Sequence, residues 1–137
     1  MPELSNALLR SGLAGAVRDF IQKIQGNIRI HLEINGLEER LESTTELIFF
    51  RIVQELMGNI LKHSGASEVF IQILKEDTNL LLCVEDNGKG FDTSAANESG
   101  VGQRNIRSRV GFLHGTVEID SAPGRGCSVV VRIPLNY

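Results

Sequence analysis

Two pairs of short apolar runs, each joined by a polar turn, limit the folds open to this chain more than any other feature. VFIQILK and LLLCVED are separated by residues 76–79 (EDTN), and TVEIDS and CSVVVRI flank residues 122–126 (APGRG). The runs are rich in apolar and β-branched residues, and the residues between them are typical of turns. Because connections this short join antiparallel strands, the sequence predicts a sheet that is largely antiparallel or mixed.

Helical patterns occupy three other segments. Residues 3–25 and 103–113 carry apolar side chains at helical spacing, and LIFFRIVQELMGNILKH, residues 47–63, has the strongest pattern. Residues 43–46 (STTE) offer capping side chains for this last helix. Between the predicted helices at residues 3–25 and 47–63, residues 28–34 (IRIHLEI) alternate between apolar and polar side chains, as a half-buried strand does.

The predicted order is helix, strand, helix, two strands, loop, helix and two strands. Such an order collects the helices on one face of the sheet. We therefore predict an α+β fold, a two-layer α/β sandwich with a mixed, mainly antiparallel sheet and helices on one face. The sequence shows no internal repeat, low-complexity tract or linker, so residues 1–137 are predicted to form one domain.

Charge and composition limit the kinds of molecule that the chain is expected to bind. The net charge of -3 argues against a nucleic-acid binder, which normally needs a basic face. Neither a membrane span nor a signal-peptide core is present in the sequence, so a cytoplasmic location is expected. Cys83 and Cys127 lie far apart within apolar runs. They are expected to be small hydrophobic residues of a reduced core rather than a disulfide or a metal site.

Polar residues recur along one face of the strongest helix. Glu55, Asn59 and His63 lie four residues apart, with Lys62 beside His63. Such a stripe is most often the solvated side of an amphipathic helix. Its chemistry also fits a nucleotide site, because an amide oxygen suits Mg²⁺, a nearby carboxylate can hold one of the metal's waters, and a lysine can meet phosphate.

The segment VEDNGKGFD, residues 84–92, places an acid and two glycines directly after a predicted strand. Asp86 would repel phosphate, but it could accept a hydrogen bond from an exocyclic amine. Gly88 and Gly90 would let a flat ring approach the backbone. The alternative is an ordinary Asn-Gly turn.

Two further glycine motifs follow. Gly100 and Gly102 open the third helix, where free N–H groups could bind phosphate, although such pairs also occur at plain loop–helix junctions. GRGCS, residues 124–128, precedes a strand and fits a tight turn. The signatures of P-loop proteins, Rossmann sites and protein kinases are all absent from the sequence.

Taken together and in this order, four segments resemble the ATP-binding domain of the gyrase, chaperone, histidine-kinase and mismatch-repair ATPase superfamily. FRIVQELMGNILKHSGAS resembles the N box, VEDNGKGFD the first glycine box, GVGQRNIRSRV the second glycine box, and SAPGRGCSVVVRIPL the closing strand pair. The arrangement is most similar to the sensor histidine kinases that signal to LuxR-type response regulators. The resemblance spans about Phe50 to Leu135 and implies the Bergerat ATP-binding fold.

The resemblance implies roles for the polar helix stripe and for the acid. Asn59 would ligate Mg²⁺, and Glu55 would act in catalysis by ordering the metal's water shell. Lys62 and His63 would lie near the phosphates of ATP. Asp86 would accept a hydrogen bond from the adenine amine.

The remaining implied positions shape the pocket. Ser128 would stand at the pocket wall, where this family often has Thr. Gln103 departs from the Leu or Met common after the second glycine box, and Gly58 interrupts the helix before Asn59. Neither departure removes a nucleotide-contacting group. The glycine-box residues implied to bind the nucleotide are Gly88, Gly90, Gly100, Val101 and Gly102.

A phosphoacceptor histidine is not evident. His31 lies on a predicted strand, His63 belongs to the N box, and His114 follows a helix end. The chain is therefore expected to be the catalytic domain alone, without the phosphoacceptor and dimerisation domain. Its partners would be ATP, that dimerisation domain and, indirectly, a response regulator, and the fragment would be monomeric.

Two alternatives remain open at this point. A serine protein kinase of the anti-sigma-factor class would use a related pocket on a protein substrate. A module that keeps the fold only as an interaction scaffold would have no catalytic role, although the presence of Glu55, Asn59 and Asp86 disfavours it.

Overall fold

A computed structural model describes the backbone of residues 2–90 and 101–135 and the side chains of residues 11–90 and 105–135. Within these ranges, no helix combines the length and apolar character needed to cross a membrane. In chain order, the elements are α1 (Pro2–Ile24), β1 (Arg29–Asn35), α2 (Ser43–Asn59), a π-helical turn (Ile60–Ser64), β2 (Glu68–Glu76), β3 (Asn79–Asp86), α3 (Val101–Phe112), β4 (Thr116–Ser121) and β5 (Cys127–Pro134).

The five strands form one sheet in the order β1-β2-β3-β5-β4. The pairs β2–β3, β3–β5 and β4–β5 are antiparallel, and β1 runs parallel to β2. The parallel pair is the one whose connection contains α2, since parallel neighbours need a long crossover. The prediction of a mixed, mainly antiparallel sheet is therefore confirmed.

The side chains alternate between a helix face and an open face of the sheet. On β3, Leu80, Leu82 and Val84 are buried on the helix face, while Leu81 and Cys83 are half-buried on the open face. The helix-face residues join one core with buried side chains of all three helices, such as Val17, Phe49 and Val110. Truncating one of these large core residues to Ala costs about 2–5 kcal/mol. The two-layer sandwich with helices on one face is thus confirmed.

The start of α2 differs from the capping prediction. The helix begins at Ser43, so Glu42 stands at the N-cap, and its side chain makes no cap hydrogen bond. Glu46 is 2% exposed and accepts bonds from Arg40 Nη2 at 2.7 Å and from the Leu41 N–H at 3.2 Å. Glu46, which the sequence pattern counted among the capping side chains, instead anchors the preceding loop.

The placement of the cysteines also corrects a prediction. Both are half-buried, and only Cys127 packs against the core. Cys83 lies on the open face, and Cys127 lies on the helix face at the start of β5. The apolar runs around the cysteines do not reveal which face each one occupies, because alternate residues of a strand point to opposite faces.

Candidate functional site

A cavity of about 910 Å³ opens beside the helix face of the sheet. Its walls come from the second half of α2, the π-helical turn, the end of β3, α3 and the start of β5. A volume of this size suits a nucleotide-sized ligand. The predicted site residues that line it are Glu55, Asn59, Lys62, His63, Asp86 and Gly90.

Asp86 ends β3 on the helix face and is 9% exposed. Its Oδ1 atom accepts the Gly88 N–H at 2.8 Å, and no other described residue bonds the carboxylate. Burial raises the pKa of Asp86, and the bond from Gly88 opposes that shift. The site therefore presents a desolvated carboxylate whose only hydrogen bond from the described residues goes to Oδ1.

The loop after Asp86 is held from the side of the π-helical turn. Asn87 Oδ1 accepts the N–H groups of Ser67 and Glu68, both at 3.0 Å. The Lys89 N–H donates to the Ser64 carbonyl at 2.8 Å. Sequence reasoning took this Asn as part of a turn signal and missed that its side chain ties the end of β3 to the start of β2.

The two glycines of the loop serve different purposes. Gly88 does not line the cavity, and a Cβ there would collide with the Ser64 carbonyl, so it allows a close backbone approach. Gly90 lines the cavity with a φ of 66°, and a Cβ there would strike the carbonyls of Ala122 and Gly126. Of the two glycines that the resemblance implies to bind the nucleotide, only Gly90 therefore lines the cavity.

The polar stripe of α2 does not continue as a regular helix. α2 ends at Asn59, and Ile60–Ser64 form a π-helical turn that closes at Gly65 in the left-handed conformation. A π turn takes up one more residue than an α turn, and such turns often occur at functional sites. Lys62 and His63 are exposed and line the cavity together with Asn59.

Glu55 is held by a residue that sequence reasoning did not single out. Arg109 Nε on α3 donates to Glu55 Oε1 at 2.6 Å. The other oxygen, Oε2, is buried and has no hydrogen-bond partner among the described residues. A buried acceptor left unpaired costs about 1–3 kcal/mol, so this atom calls for a ligand or water. Arg109 belongs to the motif N-I-x-x-R-V at residues 105–110. Its partner Glu55 lies 54 residues earlier in the chain, so the motif alone does not reveal the pair.

The side chains around Asn59 suit Mg²⁺ better than they suit a metal ion whose ligands all come from the protein. Among the described residues, no group of three or more His, Cys, Asp or Glu side chains is placed to hold a metal ion. Mg²⁺ is typically bound through one or two protein oxygens, with water and phosphate completing its shell. Asn59 offers one such oxygen, and Glu55 lines the same cavity, where it could hold a water of the metal.

Ser128 was placed on the wrong face by the sequence prediction. In the β3–β5 ladder, Ser128 pairs with Glu85 on the open face, whereas Cys127 pairs with Asp86 and lines the cavity. A shift of one residue along a strand reverses its face. Of the second glycine box, Gly100 lies outside the described residues, and Val101 and Gly102 form the first turn of α3.

Comparison with known proteins gives relatives over most of the chain. The family model of histidine kinase-, DNA gyrase B-, and HSP90-like ATPases matches residues 44–137. The signal transduction histidine-protein kinase/phosphatase DegS of Bacillus subtilis is 33% identical over 133 residues, covering 91% of this chain and 34% of that protein. The sensor protein VraS of Staphylococcus aureus is 31% identical, covering 90% and 36%. The chain thus spans about a third of the length of these relatives.

Solved structures agree on the fold. The histidine kinase domain of a blue-light activated histidine kinase from Erythrobacter litoralis superposes with a TM-score of 0.70 at 22% identity, covering 91% of this chain and 60% of that chain. The mycobacterial sensor histidine kinase MprB gives a TM-score of 0.67 at 16% identity, covering 89% and 91%. With the match to residues 44–137, the chain belongs to the family of histidine kinase-, DNA gyrase B-, and HSP90-like ATPases.

Proposed function

We propose that this chain is the ATP-binding catalytic domain of a two-component sensor histidine kinase. It would supply Mg-ATP for phosphorylation of a histidine on a separate dimerisation domain. The observation that carries the proposal is one cavity lined by a buried acid at the end of β3 and by Glu55 and Asn59 of α2. The similarity to DegS and VraS, which are named a histidine kinase and a sensor protein, supports it.

Asp86 would recognise the base. Its Oδ2 atom would accept a hydrogen bond from the exocyclic amine of adenine, while the Gly88 N–H fixes Oδ1. Cys127 and Val129 would supply the apolar wall beside the ring. Guanine presents a carbonyl oxygen where adenine has its amine, so a fixed acceptor disfavours GTP.

Asn59 and Glu55 would serve the phosphate end. The Asn59 side-chain oxygen would ligate Mg²⁺, and Glu55 would order the metal's water. Bound Mg²⁺ would neutralise charge that develops during phosphoryl transfer. Lys62, His63 and the N–H groups at the start of α3 would bind the phosphate oxygens.

The nucleophile would come from another segment. His31 lies on the open face, stacked on Phe70 at 4.4 Å and bonded to Glu68 at 2.8 Å. His63 lines the cavity, and His114 follows α3 with a φ of 60°. We therefore assign the phosphoacceptor to a dimerisation domain of the same polypeptide, with the present domain monomeric and cytoplasmic. A LuxR-type response regulator would receive the phosphoryl group.

Phosphorylation with labelled ATP tests this function. The full-length protein that contains this chain should incorporate label from [γ-³²P]ATP in a form that acid removes and alkali retains. The 137-residue chain alone should stay unlabelled. Acid-stable label would indicate a serine kinase instead, and a protein that neither binds nucleotide nor takes up label would be an interaction scaffold. Either result would overturn the proposal.

A further inference from the structure

Arg109 holds one oxygen of the Glu55 carboxylate and leaves the other without a partner. Its Nε atom donates to Oε1 at 2.6 Å, linking α3 to α2. Oε2 is shielded from water, and no described residue bonds it. Both side chains line the cavity. One oxygen of the carboxylate is therefore anchored, and the other has no partner among the described residues.

Fold stability alone does not account for this arrangement. The side chains of Arg109 and Glu55 are 37% and 21% exposed, and ion pairs with this much solvent contribute little. A pair built for stability would also satisfy Oε2, because a buried acceptor without a partner is unfavourable. The geometry is better explained if Oε2 of Glu55 takes part in ligand binding, and that task is specific.

That task follows from the position of Glu55 on α2. Asn59 lies one helical turn further along the same face, so the two side chains are neighbours at the cavity wall. A carboxylate facing a triphosphate would be repelled, and an unrestrained side chain would turn away. A guanidinium on Oε1 fixes the orientation of the carboxylate.

On the basis of the function proposed above, we infer that Arg109 is a positioning residue for Mg-ATP binding. It holds Glu55 through Oε1 so that Oε2 can accept a hydrogen bond from a water molecule bound to the metal at Asn59. Arg109 itself contacts neither the metal nor the phosphates. Partners that orient groups around a metal in this way strongly affect metal affinity.

Calorimetric titration of ATP, with Mg²⁺ and separately with EDTA, tests the inference on the 137-residue domain. The quantity compared is the factor by which Mg²⁺ tightens ATP binding. Arg109→Ala should reduce this factor by about tenfold or more, and it should leave the affinity in EDTA within about twofold. Arg109→Lys, which keeps the charge but not the fork of donors, should retain an intermediate factor.

Arg107→Ala is the matched control. Arg107 is an exposed arginine on the same helix, about 200° around the helix axis from Arg109, and it does not line the cavity. Its replacement should leave both affinities unchanged. A double variant, Glu55→Gln with Arg109→Ala, should lose no more of the Mg²⁺ factor than Glu55→Gln alone, since the arginine acts through the glutamate.

The outcomes separate this inference from the proposed function. An Arg109→Ala protein that loses affinity equally in Mg²⁺ and EDTA would show a direct phosphate contact and overturn the inference. An unchanged Mg²⁺ factor, or full additivity in the double variant, would overturn it as well. Failure of the wild-type domain to bind ATP at all would instead refute the proposed function. If Arg109→Ala does not fold, the factor measured for Arg109→Lys decides.

Discussion

At the end of β3 and the start of β5, neighbouring residues point to opposite faces of the sheet and have different surroundings. Asp86 and Cys127 face each other across the ladder on the helix face and line the 910 Å³ cavity. Glu85 and Ser128 pair one step away on the open face, beside a smaller groove of about 390 Å³. Asp86 is buried, whereas Glu85 is exposed. Two adjacent acids thus differ in their surroundings because of strand parity rather than residue type.

The largest expected effect tests this contrast between the acids. Asp86→Asn should weaken ATP binding by roughly 100-fold, because the acceptor of the base becomes an amide and a charge-assisted bond is lost. Glu85→Gln, the matched change on the open face, should alter the affinity by less than about twofold. Calorimetry on both variants provides the measurement. Equal losses of affinity in the two variants, or no loss in Asp86→Asn, would refute the assignment of the adenine contact to Asp86.

A size change at the next pair should have a smaller effect. Cys127→Leu adds bulk to the cavity wall and should weaken ATP binding by about tenfold, since inserted methylenes cost about 1–3 kcal/mol in a packed site. Ser128→Leu introduces the same side chain on the open face and should leave the affinity unchanged. Thermal unfolding of both proteins checks that each remains folded. If Ser128→Leu impaired binding as much, the assignment of faces would be wrong.

The two cysteines allow a test within one unmodified protein. ATP should slow alkylation of Cys127 by about tenfold at alkaline pH, because a bound ligand limits access to the thiol. Alkylation of Cys83, on the open face, should proceed at the same rate with and without ATP. Peptide mass spectrometry follows each site separately. Protection of Cys83, or none of Cys127, would contradict the proposed location of the nucleotide.

The smallest expected effect concerns stability. Burial raises the pKa of Asp86 in the folded state, so ionised Asp86 opposes folding at neutral pH. This cost is absent below the unfolded-state pKa and grows as the pH rises through the folded-state pKa. Asp86→Asn should therefore raise the midpoint of thermal unfolding at neutral pH but not in acid. Glu85→Gln is the reference, and an Asp86→Asn midpoint gain that is independent of pH would exclude this explanation.

Local patterns made most of the fold predictable. The apolar runs LLLCVED and CSVVVRI, together with the short turns before them, are sufficient to pair β3 with β2 and β5 with β4 as antiparallel strands. The helical spacing of residues 47–63 likewise placed α2, although its last turn is a π-helical one. These patterns are visible because each depends only on residues close together in the chain.

The details of the site depend on register and distance, which local patterns do not reveal. Ser128 was assigned to the pocket wall because the family often has Thr there, but residue type alone does not fix which of two neighbours faces the cavity. The pairing of Glu55 with Arg109 requires the packing of α3 on α2. The acid of the first glycine box was found because Asp86 stands at a strand end, where its side chain has a defined face.

Nitrogen-15 NMR of the domain during titration with Mg-ATP reports both whether the nucleotide binds and where it binds. If ATP occupies the helix-face cavity, the spectrum should saturate at one equivalent, with the largest chemical-shift changes at the amides of residues 59–64 and 86–90. The amides of the open-face groove at His31, Gln72 and Cys83 should move little. An absence of shift changes, or changes centred on the open-face groove, would refute ATP binding in the cavity.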